Sequence, residues 1–138
     1  MLEEITAERL RKATAKLFFD AGEACLREFT LKSGHRVDLI CLSRAQQITI
    51  IEIKSSRQDF ISDRKWHNYL EWADHFYFAV AMHFQIELLP EASQCGIIIS
   101  DGFDGHILRP APHTPLAPAR RAHLIRRLAF QAMNRTEI

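Results

Sequence analysis

Two acids and one lysine carry the chemistry of this sequence. Asp38 is followed, after thirteen residues, by Glu52, Ile53 and Lys54. All three ionisable groups sit inside otherwise apolar runs, RVDLICL and QITIIEIK, of the kind that forms covered strands. In a strand, alternate residues share a face, so Glu52 and Lys54 point with Ile48 and Ile50, and Asp38 points with Ile40 and Leu42. A charge buried there without a partner is expensive. If the loop between the two runs is centred on Ala45, paired residue numbers sum to 90 and Asp38 falls opposite Glu52. Their Cβ atoms then lie about 5 Å apart, close enough for both carboxylates to grip one ion. Left ionised and alone at an effective dielectric near 20, they repel by roughly 3 kcal/mol, or about two pKa units. Lys54 supplies one positive charge. Mg²⁺ or Mn²⁺, which prefer carboxylate and water oxygens, would supply the rest. The alternative is a metal-free Asp, Lys and Glu ion cluster.

The elements around these residues follow from periodicity. Ala7, Leu10, Ala13, Leu17, Phe18 and Ala21 recur at helical steps, with Thr6 to cap the helix and Gly22 to end it. Residues 24–31, 36–42 and 47–54 follow with connections too short for parallel crossovers, which predicts an antiparallel meander. Helical spacing returns from Asp59 to about Ala73. Residues 75–82 and 95–100 then read as buried strands, and DGFDG turns into HILR. After a proline-rich connector, Pro118 opens a last helix whose buried stripe is Leu124, Ile125, Leu128, Ala129 and Ala132. The order predicts an α/β sandwich around a mixed sheet, in one domain over residues 1–138.

Composition excludes several function classes. The 138 residues are 47% hydrophobic and 25% charged, with a formal net charge of +1. That is an ordinary globular balance, too neutral to announce a nucleic-acid partner by itself. Arginines nevertheless crowd the last thirty residues, Arg109, Arg120, Arg121, Arg126, Arg127 and Arg135, opposed there by Glu137 alone. No apolar run approaches the ~20 residues that span a bilayer, and the start lacks a signal-peptide pattern, so a cytoplasmic location is expected. Cys25, Cys41 and Cys95 lie far apart in apolar stretches and read as buried free thiols. The histidines match no zinc signature, and no glycine pattern forms a phosphate loop or a dinucleotide fingerprint.

With Asp38, Glu52 and Lys54 on the second and third strands, the chain resembles the PD-(D/E)XK nuclease superfamily. The longer strings EFTLKSGHRVDLICL, IIEIKSSRQDFISDRKWHNYLEWADHFYFAV and LAPARR resemble its MmcB-type DNA repair branch over nearly the whole chain. The resemblance implies a restriction-endonuclease-like core: a mixed central sheet with an antiparallel three-strand meander, flanked by helices. It implies that Asp38 and Glu52 bind Mg²⁺ or Mn²⁺ beside a catalytic Lys54, and that the substrate is DNA, bound with little sequence preference. A homodimer is open, since related resolvases act as symmetric dimers, and repair-protein partners are open as well. This sequence reads GHRVD where the pattern carries GRRAD, so no phosphate contact is implied for His35.

Further residues are candidates. A three-residue loop Lys32, Ser33 and Gly34, with Gly34 left-handed, places Glu28 opposite Asp38, where the resemblance implies a metal-water ligand; the alternative is an exposed strand acid. A two-residue loop turns it away, leaving Glu23 as the substitute. Lys65 and Tyr69, four apart on the predicted second helix, form a stripe with Ile61 and Trp72 that suits phosphate contact and base stacking; the alternative is that Tyr69 and Trp72 are core. Lys65, Tyr69, Arg120 and Arg121 are the expected DNA contacts. The rival to a nuclease is a catalytically silent DNA-binding or scaffolding module in damage tolerance.

Overall fold

A computed structural model describes residues 4–135; Glu137, expected to oppose the C-terminal arginines, lies outside them. Helix α1 spans Ala7–Asp20, with the Thr6 hydroxyl accepting from the Arg9 N–H at 3.2 Å and Gly22 at φ +86 beyond its end. Strands β1 (Ala24–Thr30), β2 (Arg36–Leu42) and β3 (Ile48–Lys54) form the expected antiparallel meander. Both hairpins use three-residue loops whose last residue is left-handed, Gly34 at φ +93 and Gln46 at φ +63. These loops set the register. Partners sum to 66 between β1 and β2 and to 90 between β2 and β3, as in Cys25 with Cys41 and Leu39 with Ile51.

The next segment departs from expectation. Instead of one helix from Asp59 to Ala73 there is a short α2, Arg57–Ser62, then a break, then a 3-10 helix over Trp66–Trp72. The polar run Ser62 to Lys65 provides the break, with the Asp63 carboxylate accepting from the Lys65 N–H at 2.7 Å as a local turn. Strand β4 (His75–Ala81) returns parallel to β3, β5 (Gly96–Ser100) lies parallel to β4, and β6 (Gly105–Arg109) closes the sheet antiparallel. Helix α3, Pro118–Arg135, completes the chain. The six strands lie in sequence order in one mixed sheet.

Each face of the sheet has its own core. One unites Ile40, Ile48, Ile50, Phe76, Phe78 and Val80 with the Trp66–Trp72 turn and with Leu124 and Leu128 of α3. The other packs Leu10 and Phe18 of α1 against Leu39, Ile51, Ile53, Tyr77 and Ile98. Every residue of β3 is buried, Glu52 and Lys54 included, because β3 lies between β2 and β4 and both its faces are covered. All three cysteines are free thiols; Cys41 and Cys95 are buried, whereas Cys25 is half-buried. No helix among the described residues is long and apolar enough to cross a membrane.

The last helix is tied to the sheet by charge as well as packing. Asp74, fully buried just before β4, accepts from Ile48 N–H at 2.8 Å and Leu116 N–H at 3.0 Å, and takes two bonds from the Arg121 guanidinium at 2.6 and 2.7 Å. Burial pushes its pKa up, but these donors prevail and bring it to about 2. Arg121 also holds the Gln46 carbonyl at 2.7 Å, fixing the β2–β3 loop. Arg121→Met leaves that carboxylate buried without its cation, and we expect a loss of about 3 kcal/mol in urea unfolding at pH 7. An acid whose pKa is depressed by folding adds stability above its unfolded pKa and loses it as pH falls through the folded one. The gap between wild type and variant therefore closes between about pH 4 and pH 2.

Candidate metal and phosphate site

Beyond the Leu39–Ile51 pair, β2 and β3 stop exchanging ladder hydrogen bonds and two side chains take over. The Asp38 N–H donates to Glu52 Oε1 at 3.1 Å, and the Ile53 N–H donates to Asp38 Oδ2 at 2.8 Å. Each carboxylate thus caps the other strand, which brings the two headgroups together where the strands part. A second irregularity coincides with the first. Val37 joins one core and Leu39 the other, although residues two apart on a strand normally share a face. The change of face falls at Asp38, and its opposite number on β1, Glu28, has φ +52, an uncommon conformation for a residue with a side chain. The Arg135 guanidinium, at the end of α3, holds the carbonyl oxygens of Arg27 and Glu28 at this kink.

The opening is a cleft with two arms that meet at Asp38, Glu52, Lys54 and Asp59. One arm, about 470 Å³, runs toward Arg11, Arg27 and Glu28. The other, about 300 Å³, is lined by Arg36, Asp63, Lys65 and Tyr69. Glu52 is only 5% exposed, and burial, followed by the charge of Asp38, pushes its pKa up to about 8. Burial likewise raises Asp38. Lys54, also buried, does not answer this charge directly. Its ammonium is 2.7 Å from Asp63 Oδ2 and 3.9 Å from Asp59 Oδ1. The pair of carboxylates is therefore left with negative charge that its nearest lysine shares with two other acids.

The predicted residues divide into those the fold gathers and those it does not. Asp38, Glu52 and Lys54 converge. Glu28 reaches the same cleft because the three-residue loop is the one that forms, but it is exposed on the wall, and no three His, Cys, Asp or Glu side chains gather as a ligand set among the described residues. Glu23 is at the far end of β1 beside Cys25 and Cys41, away from the cleft. Lys65 and Tyr69 both line the second arm, but not as one helical stripe with Ile61, since the helix breaks at Asp63. Tyr69 is 2% exposed, with its hydroxyl donating to the Arg36 carbonyl at 3.2 Å, so its ring is core and presents no face to a base. Trp72 is also buried, under the Arg120 guanidinium at 4.2 Å. Arg120 further pairs with Glu71 at 3.3 Å, and Arg121 is engaged by Asp74 near the start of β3, the end of that strand remote from Glu52. Expected as DNA contacts, both arginines instead join α3 to the body of the protein.

Asp63 escaped sequence reading because a continuous helix over 59–73 made it one more exposed helical acid. The signal was the cluster SDRK, an Asp three residues before a new helical turn. Arg36, at the start of β2, is set on the cleft's rim by the register that aligns Asp38.

Comparison with known proteins bears on this geometry. Residues 3–138 match the family described as MmcB-like, DNA repair protein MmcB-like. The structure is similar to that of SPO1766, a protein of unknown function from Silicibacter pomeroyi, at 43% identity and a TM-score of 0.88, covering 94% of this chain and 87% of that one. A search of curated proteins finds no match. The family match spans the meander, the cleft and α3 together, and the chain belongs to the MmcB-like family of DNA repair proteins.

Proposed function

We propose that this chain is a divalent-metal-dependent nuclease of DNA repair, with a restriction-endonuclease-like core and Asp38, Glu52 and Lys54 as its catalytic residues. The observation that carries this reading is the pairing of half-buried Asp38 with buried Glu52, whose headgroups are brought together by reciprocal backbone bonds and whose nearby Lys54 shares its charge with Asp63 and Asp59. A hard dication fits such an all-oxygen pair opening on water, and Glu28 lines the same cleft. Mg²⁺ or Mn²⁺ there supplies Lewis-acid polarisation of a phosphodiester and a more acidic bound water. The protein's own groups do the rest. Asp63 orients the Lys54 ammonium at the floor of the cleft, where its charge stabilises negative charge growing on the phosphate. Lys65 and Arg36, exposed on one arm, and Arg27, exposed on the other, hold the flanking backbone. These are contacts to phosphate, which position a substrate without reading its bases, so DNA is bound with little sequence preference and strong salt dependence.

A second reading, a DNA-binding or scaffolding module without catalysis, draws on one observation: Lys54 is ion-paired with Asp63 and no third ligand is gathered. Calorimetric titration with Mn²⁺ separates the two. On the nuclease reading, Asp38→Asn and Glu52→Gln abolish both the binding heat and cleavage of nicked, branched or single-stranded DNA. Lys54→Met keeps the metal and cuts at least about a hundredfold more slowly. Cleavage that survives in both Asp38→Ala and Lys54→Ala counts against it.

The pH dependence has a definite sign. Glu52 is raised from an ordinary 4.5 to about 8, so it favours the folded chain while protonated. Metal-free stability is fullest below about pH 4.5 for this group and declines as pH rises through about 8. Metal takes the ionised form, so Mn²⁺ affinity rises over that window, by about tenfold per pH unit where one proton is released. Thermal melts with EDTA and with Mn²⁺ from pH 6 to 8.5 show the two trends as opposite slopes, and Glu52→Gln flattens the first.

A further inference from the structure

A second polar groove, of about 420 Å³, runs along α3 and is lined by His123, Arg126, Arg127, Phe130, Gln131 and Asn134. Their spacing puts them on one side of the helix, and none is an acid. Burial, and then the charges of Lys32, Arg127 and Arg126, hold the His123 pKa down, which places the β1–β2 loop lysine close to this groove. Among the described residues no carboxylate pairs with Lys32, Arg126 or Arg127. Arg127 lies over the Phe29 ring at 4.9 Å, and its Nη1 is buried without a hydrogen-bond partner, as is His123 Nε2. The cations crowded here repel one another, and a bound anion relieves that repulsion. Phe130 lines the same groove and is 71% exposed, a flat apolar face beside cations.

We infer that the α3 groove binds the sugar-phosphate backbone of single-stranded DNA, with Phe130 stacking on an unpaired base. Cationic grooves with exposed aromatic rings suit single strands because every base offers a π-face. The position fits a strand shared with the cleft. Arg135, one residue beyond the groove-lining Asn134, holds the carbonyl oxygens of Arg27 and Glu28, and both of those residues line one arm of the carboxylate cleft. This deepens the nuclease reading in that it assumes the cleft acts on DNA. It assigns the substrate an unpaired segment and replaces Arg120 and Arg121 with Arg126, Arg127 and Phe130 as C-terminal contacts.

Fluorescence anisotropy with the full chain in EDTA, using a labelled single-stranded oligonucleotide and the same sequence as blunt duplex, tests it across a salt series. Arg126→Gln/Arg127→Gln lowers the log–log salt slope for the single strand by about 1.4, two contacts at about 0.7 each. Arg126 is exposed, so Arg126→Gln alone, which leaves the Phe29 contact in place, lowers it by about 0.7. Phe130→Ala weakens single-strand binding about tenfold and duplex binding much less. A wild-type slope in the arginine variants overturns the inference, as does binding to anionic vesicles without binding to the oligonucleotide. The metal reading fails separately. These variants keep their Mn²⁺ heat if the cleft is a metal site, and a wild type that binds DNA through this groove but shows no Mn²⁺ heat removes the nuclease and leaves the groove.

Discussion

The parting of β2 from β3 is the constraint on which the site depends. A strand buried on both faces must satisfy every N–H it carries, and past Leu39 and Ile51 the ladder no longer does so. The Asp38 and Glu52 carboxylates accept those donors across the gap, so the same two bonds that make the opening tolerable also aim two acids at one point. Glu52 cannot turn to bulk solvent, because β3 is covered by β2, β4 and both cores, whereas Asp38 is half-buried at the cleft. The cost is electrostatic. Burial raises the pKa of both carboxylates, and the charge of Asp38 raises that of Glu52 further, while the charge of Lys54 is distributed over Asp63 and Asp59. A site arranged this way attracts protons or cations more strongly than a structural ion pair of equal burial, which has its own counter-charge in contact.

Asp74 with Arg121 supplies that contrast within the same chain. There a fully buried carboxylate meets a bidentate guanidinium and two backbone N–H groups, and its pKa falls well below the usual range. Two buried acids, Glu52 on β3 and Asp74 just before β4, therefore have opposite characters. One closes the sheet against α3 and leaves nothing for a ligand to add. The other is incomplete, and it faces a cleft. The distinction lies in the partners each acid finds and not in depth of burial, which is similar for Asp74 and Glu52.

The two ends of α3 also differ in role. Near its start, Arg120 and Arg121 are consumed by Trp72, Glu71 and Asp74, binding the helix to the sheet. Toward its end, Arg135 braces the β1 kink at Glu28 from the side of the backbone carbonyls. Between them, Arg126 is exposed and Arg127 lies over Phe29, and among the described residues neither has an acid to meet. A helix secured at both ends presents its middle to a ligand with little freedom left to lose, which favours binding.

By itself the sequence determined the strands and their register. Alternation marked Asp38 and Glu52 as strand charges, and the short loop around Ala45 made their opposition legible from local rules, whereas the side to which Glu28 turns depended on which of two β1–β2 loops forms. What only the tertiary structure decided was the partner of each charge that lies outside those hairpins. Asp63 reaches Lys54, and Arg121 reaches Asp74, across 9 and 47 residues, through a broken helix and a crossover whose course no periodicity records. Short-range hydrogen bonding along a strand is written in its pattern. Long-range ion pairing depends on where whole elements come to rest, and so Arg120 and Arg121, indistinguishable in sequence from Arg126 and Arg127, have opposite surroundings in the fold.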